Sequence, residues 1–341
     1  FYGDITSYVK PFRNFAADDD ANGPVFFLRS LDDKEEGVPL TAGDVAEAWL
    51  NYAREGIGMF WWGGYGVSTE HTAYLNLKNG VPAPLSGSEI TNGKVLSEQI
   101  GGQIFVDTWG LINPGNPKAA AESAKIAASV SHDGEGLEGA AFVSAAIAEA
   151  FVSNDIERIV DVALSFVSDG SIYKKVAEAV ISFHKENPDS WRACLSMLQS
   201  EWGYDKYKGV CHIIPNAGVV VMSLLYGRHF KRGIEIATMA GWDTDCNAGN
   251  VGTILGVMDG LDGLGEGYRA PINDMIVLSG VSGYLNVLDI PTYAKKLTTF
   301  AMINMGIIPS DNLNIDERHP SFDFSLPGST HGLRLSDSIL T

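Results

Sequence analysis

Helix signals follow one another along most of this sequence, while the alternation of apolar and polar residues that is typical of strands is nearly absent before residue 310. Asn116-Pro117 predicts a helix start, because Asn caps free N–H groups and Pro fits the first turn. Asn154 is predicted to cap an amphipathic segment. The predicted helices of this part cover 119–130, 136–151, 154–167, 173–184, 189–201, 216–226, 230–239, 246–258 and 292–304. The pattern predicts an all-α fold.

The first hundred residues carry weaker signals. Asn22 followed by Pro24 predicts a helix start, and Thr41 with Asp44 is typical of a capping box. Residues 56–94 contain eight glycines and are predicted to form a long loop. Loops of that length often carry function.

The chain has 341 residues, which is long enough for one large domain or two smaller ones. Because no linker is visible, we predict a single helical domain over residues 1–310 and a non-helical C-terminal extension over 311–341. The first residue is Phe rather than Met, so we expect an N-terminal piece to precede this sequence.

Acidic residues outnumber basic ones by 42 to 24, which gives a formal net charge of −18. This charge argues against direct binding to nucleic acid phosphates or anionic membranes, and it suits cations. No apolar run reaches the length of a membrane helix. The cysteines, Cys194, Cys211 and Cys246, are odd in number and far apart, which favours a reducing, cytoplasmic location over a disulfide framework.

Two acidic clusters precede predicted helices: Asp18-Asp19-Asp20 and the segment from Asp243 to Asn247. Each alone is readily explained by carboxylates that complement a helix N-terminus. If the two clusters lie together, however, their mutual repulsion requires a neutralising cation. Oxygen ligands without a set of His and Cys indicate Mg²⁺, Mn²⁺ or Ca²⁺ rather than zinc.

A glycine-containing segment runs from Ser131-His132 through Gly134 and Gly136 to Gly139-Ala140. Glycines allow a backbone to approach a ligand closely, although a His followed by Gly also commonly ends a helix. Gly101-Gly102 similarly indicates either tight packing or a ligand against the backbone, with packing the simpler interpretation.

These motifs together resemble the ADP-ribosylglycohydrolase family. The segment Gly241-Trp-Asp-Thr-Asp-Cys-Asn-Ala-Gly-Asn-Val-Gly252 is similar to its C-terminal signature, and Ser131-His132 through Ala140 to its middle motif. Asp18-Asp19-Asp20 stands where the family has Thr-Asp-Asp before a helix, and Asn216-Ala217 before an apolar helix also fits. The resemblance covers residues 15–260.

The resemblance implies an all-α fold that holds two Mg²⁺ ions, or Mn²⁺, in a central cleft. It implies a metal-dependent hydrolase that releases ADP-ribose from a modified protein side chain or a small ADP-ribosyl compound. Asp19, Asp20 and Asp245 would be catalytic. The substrate would contact residues of the central motif and the glycine pair, and the metals would be held by residues of the two acidic clusters. By position these are, for the substrate, His132, Gly134, Gly136 and Gly101, and, for the metals, Asp18, Asp19, Asp20, Asp243, Asp245 and Cys246.

This sequence departs from the family pattern at two places. Cys246 stands where the family usually has a Thr ligand, and a thiol is a poor partner for Mg²⁺. The N-terminal glutamate of the family is not visible either. Two alternatives therefore stay open: a non-catalytic protein that binds ADP-ribose or a nucleotide, and a structural protein on the same scaffold.

Overall fold

The structure, a computed structural model, describes residues 4–8, 10, 15–35, 37–310 and 313. About 61% of the chain is helical and the strands form one small sheet, which confirms the predicted all-α fold. The predicted extension over 311–341 lies outside the described residues, apart from Leu313. In the described part of the chain, each helix is too short or too polar to cross a membrane.

The elements follow one another in this order. The first half contains β1 (Phe15–Ala16), α1 (Asp19–Phe27), α2 (Ser30–Asp33), α3 (Ala42–Tyr52), α4 (Thr69–Lys78), α5 (Glu89–Asn92), α6 (Lys94–Ser97), α7 (Gly101–Ile104), α8 (Asp107–Leu111), α9 (Pro117–Ala128), α10 (Glu135–Ala150) and α11 (Ile156–Leu164). The second half contains α12 (Ile172–Glu186), α13 (Trp191–Glu201), α14 (Ile213–Gly227), α15 (Phe230–Ala240), α16 (Thr244–Leu264), α17 (Glu266–Arg269), β2 (Met275–Val277), a 3-10 helix (Gly283–Asn286), β3 (Val287–Asp289) and α18 (Ile290–Asn304).

Helices α10 and α14 form the centre of the molecule because both are apolar on nearly every face. Helix α10 packs against α7, α8, α9, α11, α14 and α16. Small residues allow these helices to approach closely. A Cβ on Gly139 would lie 2.4 Å from Ile213, and one on Gly110 would lie 2.6 Å from Ile147. The starts of the helices around this core are thereby fixed relative to one another.

Local capping signals are accurate where side chain and backbone interact over a few residues. The capping box at the start of α3 is confirmed: Thr41 Oγ1 accepts from the Asp44 N–H at 3.3 Å, and Asp44 Oδ2 accepts from the Thr41 N–H at 2.7 Å. The start of α9 is also confirmed, with Asn116 accepting from the Ala119 N–H. At α11 the cap is Asp155, not Asn154 as predicted, because Asp155 Oδ1 accepts from the first free N–H groups.

The predicted start at Asn22 is wrong. Helix α1 begins at Asp19, and Asn22 lies inside it with Nδ2 donating to the carbonyls of Asp18 and Ala17. Its Oδ1 accepts from the Ser279 N–H at 2.8 Å, so a contact with a residue far along the chain fixes the orientation of this side chain. Pro24 also lies within the helix rather than in its first turn.

The predicted long loop over 56–94 is partly wrong, because it contains α4 and α5. Helix α4 buries polar residues, among them Thr69, Glu70 and Asn76, so it lacks the apolar stripe that marks a helix in sequence. The sheet was not predicted either. Strand β1 pairs in parallel with β2, with Phe15 opposite Ile276, and β2 pairs antiparallel with β3. Strands of two or three residues are too short to show alternation.

Candidate metal centre

The two acidic clusters meet where α1 and α16 begin. Asp20 and Asp245 each offer a carboxylate oxygen and Cys246 offers its Sγ, and these three atoms lie within 4.8 Å of one another. The residues are far apart in sequence, and the packing of α1 on α16 brings them together. Both helices also direct the positive ends of their dipoles towards this place.

Backbone and amide contacts fix the start of α16. The chain turns sharply before the helix, with positive φ at Gly241 and at Trp242. The fully buried Asn247 then donates from Nδ2 to Asn216 Oδ1 at 2.9 Å. Asn216, on α14, donates in turn to the hydroxyl of Tyr204 at 2.7 Å. The Asn of the C-terminal signature therefore ties α16 to α14.

Burial and mutual repulsion raise the carboxyl pKa values in this cluster. Burial first, and then its acidic neighbours, raise the pKa of Asp19 to about 6. Burial and the Asp245 carboxyl likewise raise the pKa of Asp243 to about 6. The pKa of Asp20 is raised well above its ordinary value by burial and by Asp19 and Asp18. A positive charge at this place would stabilise the ionised forms of all three.

The remaining predicted ligands lie close enough to this cluster for the carboxylate charges to raise one another's pKa values. Partial burial first, and then Asp245, raise the pKa of Asp18, and Asp243 contributes to the raised pKa of Asp19. Among the described residues, the donor atoms of Asp18, Asp19 and Asp243 do not join the group formed by Asp20, Asp245 and Cys246.

Glu70 is a residue of the site that sequence reasoning missed. It lies in the first turn of α4, is 7% exposed, and accepts a hydrogen bond from Ser68 Oγ at 3.0 Å. Burial first, and then the charges of Asp19 and Asp243, raise its pKa to about 7. Its carboxyl is therefore close to the acidic cluster, although no local sequence signal marks it.

The side chains of His132 and Glu70 both lie beside Gly101. A Cβ on Gly101 would lie 2.6 Å from Glu70 Oε1 and 2.8 Å from His132 Nε2, so a larger residue would displace these side chains. His132 is buried, and its Nδ1 is 2.7 Å from Ser131 Oγ. Burial lowers its pKa to about 3, so the ring is neutral. Its Nε2 has no hydrogen-bond partner among the described residues.

The glycines of the central motif serve the packing of the turn. Gly136 is buried, and a Cβ there would lie 2.9 Å from His132 Cβ. Gly134 is exposed with a φ of 54°, and a Cβ there would lie 2.5 Å from Glu98 Oε1. Between them, Glu135 accepts from the first N–H groups of α12. The motif thus packs around His132, and Gly134 lies beside Glu98.

The sequence profile of the ADP-ribosylglycohydrolase family matches residues 2–299. The chain belongs to the ADP-ribosylglycohydrolase family. Among solved structures, one described as an ADP-ribosylglycohydrolase-related protein complex is similar, with 14% sequence identity and a TM-score of 0.48. That alignment covers 87% of this chain and 89% of the other. A comparison with curated proteins by sequence finds no match.

This member of the ADP-ribosylglycohydrolase family has a donor set that fits a divalent cation. Asp20 Oδ1 is fully buried and lacks a hydrogen-bond partner among the described residues, so it has lone pairs available. Carboxylates crowd around it and raise one another's pKa values. Such an arrangement is costly unless a cation neutralises it. Cys246 is the one sulfur donor in this group, where Mg²⁺ prefers oxygen.

Proposed function

We propose that this protein is a metal-dependent hydrolase that cleaves the glycosidic bond between ADP-ribose and a modified protein side chain or a small ADP-ribosyl compound. The observation that supports it best is the convergence of the Asp18–Asp20 and Asp243–Cys246 segments beside the buried Glu70. In the proposal Asp20, Asp245 and Cys246 hold one cation, and Asp19, Asp243 and Asp18 contribute to a second. Mg²⁺ or Mn²⁺ is the expected metal where all ligands are oxygens, as at the second of these positions.

Divalent cations bound here would orient the ribose hydroxyls and the attacking water and would stabilise developing charge. The remaining steps belong to side chains. Glu70 has a pKa near neutral, which suits a group that donates or accepts a proton at the reacting bond. It supplies the carboxyl chemistry that the family resemblance assigns to an N-terminal glutamate. The neutral His132 offers to a ligand hydroxyl its Nε2, which has no hydrogen-bond partner in the described part of the chain.

The diphosphate of ADP-ribose requires positive potential in an acidic protein. The N-termini of α1 and α16 supply part of it, since free N–H groups there attract anions. All three cysteines are free thiols, which supports the cytoplasm as the compartment. The net charge of −18 supports a substrate other than nucleic acid or membrane.

The test is calorimetric titration of ADP-ribose into the protein with Mg²⁺ and again with EDTA. We expect binding that depends on the metal. Release of ADP-ribose from ADP-ribosylated arginine, serine and small compounds is then followed by chromatography. Asp245→Asn should lose both signals, whereas Asp169→Asn, at an exposed carboxylate that pairs with Lys174, should keep them. Absence of ADP-ribose binding under both conditions would refute the proposal.

A further inference from the structure

The thiol of Cys246 lies among the carboxylates of the candidate metal centre. Its side chain is 7% exposed, and its Sγ shares the 4.8 Å group with carboxylate oxygens of Asp20 and Asp245. The thiol is within hydrogen-bonding reach of Asp20 and of Asp243. The sulfur therefore lies between carboxylates contributed by both helices. Asp20 Oδ1 is buried and lacks a hydrogen-bond partner among the described residues, which is a second sign that a ligand is expected here.

The donor types of this group, two carboxylates and a thiol, suit a borderline cation. On a tetrahedral zinc, oxygen and sulfur ligands at about 2.0 and 2.3 Å from the metal are about 3.5 Å apart. The three donor atoms lie within 4.8 Å of one another, so small side-chain adjustments suffice to place them on one ion. Mg²⁺ instead demands near-octahedral oxygen coordination and gains little from sulfur.

Within the metal centre of the proposed function, on which this inference rests, we propose that the position framed by Asp20, Asp245 and Cys246 binds a cation of the Zn²⁺ and Co²⁺ class in preference to Mg²⁺. Cys246 Sγ is a direct ligand of that cation. Thiolate ligands favour such borderline cations, whereas Mg²⁺ prefers oxygen ligands. On binding, the S–H bond breaks, the proton passes to solvent, and the sulfur lone pair forms the metal–sulfur bond. No electron is transferred.

The chain offers a matched control in Cys211. This half-buried thiol is within hydrogen-bonding reach of Asp243, so it lies at the edge of the same centre. It is not part of the group formed by Asp20, Asp245 and Cys246. Cys211→Ser and Cys246→Ser therefore make the same chemical change at two neighbouring thiols, of which the proposal makes only one a ligand.

The experiment uses the full chain, stripped of metal and loaded with Co²⁺. We expect a near-ultraviolet sulfur-to-cobalt charge-transfer band that is kept in Cys211→Ser and lost in Cys246→Ser. After dialysis against equal concentrations of Zn²⁺ and Mg²⁺, elemental analysis should find zinc in the parent protein. In Cys246→Ser the zinc affinity should fall at least about tenfold, since even changes next to direct ligands have effects of that size. Circular dichroism confirms that each variant is folded.

Three results would overturn the inference. One is a band that survives in Cys246→Ser, another is a band that disappears in Cys211→Ser, and the third is retention of magnesium over zinc in the parent protein. In each case the protein still binds a divalent cation, so the proposed hydrolase activity stands and only the ligands or the identity of its first cation change. If the folded protein binds no divalent cation at all, the proposed function fails together with the inference. Calorimetry with Mg²⁺, Mn²⁺ and Zn²⁺ separately distinguishes these cases.

Discussion

The contact of Glu70 and His132 over Gly101 allows a specific test of the site. In Gly101→Ala the new Cβ would lie 2.6 Å from Glu70 Oε1, 2.7 Å from His132 Cε1 and 2.8 Å from His132 Nε2. These separations are too short, so the alanine must push the two side chains away. Both are buried, and their displacement moves the polar atoms that we propose to face the substrate.

The expected effect on stability is small. Overpacking a core typically costs about 1 to 3 kcal/mol. The same change gains about 1 kcal/mol from the better helix propensity of alanine. The free energy of unfolding should therefore fall by roughly 0 to 2 kcal/mol, which for a chain of this length lowers the melting temperature by about 3 °C or less. The catalytic effect should be much larger, because misplacing a positioned group by about 1 Å can lower the rate about 100-fold.

Gly102→Ala is the matched control. It lies in the same helix α7 and gains the same propensity, but its Cβ would lie 2.5 Å from the Gly136 carbonyl oxygen and 2.7 Å from Gly136 Cα. Backbone cannot move aside as a side chain can, so this variant should melt at a clearly lower temperature than Gly101→Ala.

Calorimetric melting and the release of ADP-ribose together provide the assay. Gly101→Ala should stay folded with weak activity, and Gly102→Ala should melt at a lower temperature than Gly101→Ala. If Gly101→Ala kept full ADP-ribose affinity and turnover, Glu70 and His132 would not contact the ligand. If Gly102→Ala melted no lower than Gly101→Ala, the packing argument itself would be wrong.

Three further predictions follow from the same contacts. Asp243→Ala or Asp245→Ala should abolish activity without unfolding the domain, as measured by ADP-ribose release and circular dichroism; full activity in either variant would contradict the metal assignment. The metal-free protein should lose stability as pH rises from about 4 through about 6, because the raised pKa values of Asp19 and Asp243 make the native state bind protons more tightly than the unfolded chain. In thermal melts, saturating divalent metal should flatten this pH dependence. A metal-free melting temperature that does not change with pH would argue against crowded carboxylates. Asn216→Ala should lower the free energy of unfolding by about 1 to 3 kcal/mol because it leaves the buried Asn247 amide without its acceptor; urea titration measures this, and an unchanged midpoint would show that the amide pair does not fix α16.

The fold could be predicted wherever the decisive contacts are local. The capping box of α3 depends on Thr41 and Asp44 only, and its start was predicted correctly. Asn22 misled the prediction because its side chain bonds to Ser279, far along the chain. Helix α4 was missed because its buried face is polar, and burial of a polar face depends on partners that local sequence does not show.

The candidate site likewise contains some residues that local sequence marks and one that it does not. Its carboxylates stand in clusters of adjacent acidic residues, which made Asp20 and Asp245 visible in the sequence. Glu70 carries no such mark. Its importance arises from its burial beside His132, and that proximity is created by the missing side chain at Gly101. A glycine pair of this kind indicates close packing, but it does not say which residues are brought together.

The position of the metal donors along the chain has a consequence for synthesis of the protein. Asp20 emerges early and Asp245 and Cys246 emerge late, so the three-donor group does not exist on a nascent chain that has yet to complete α16. Domains fold largely as units as they leave the ribosome. The cation that we propose for this group can therefore bind only after α16 has docked on α1.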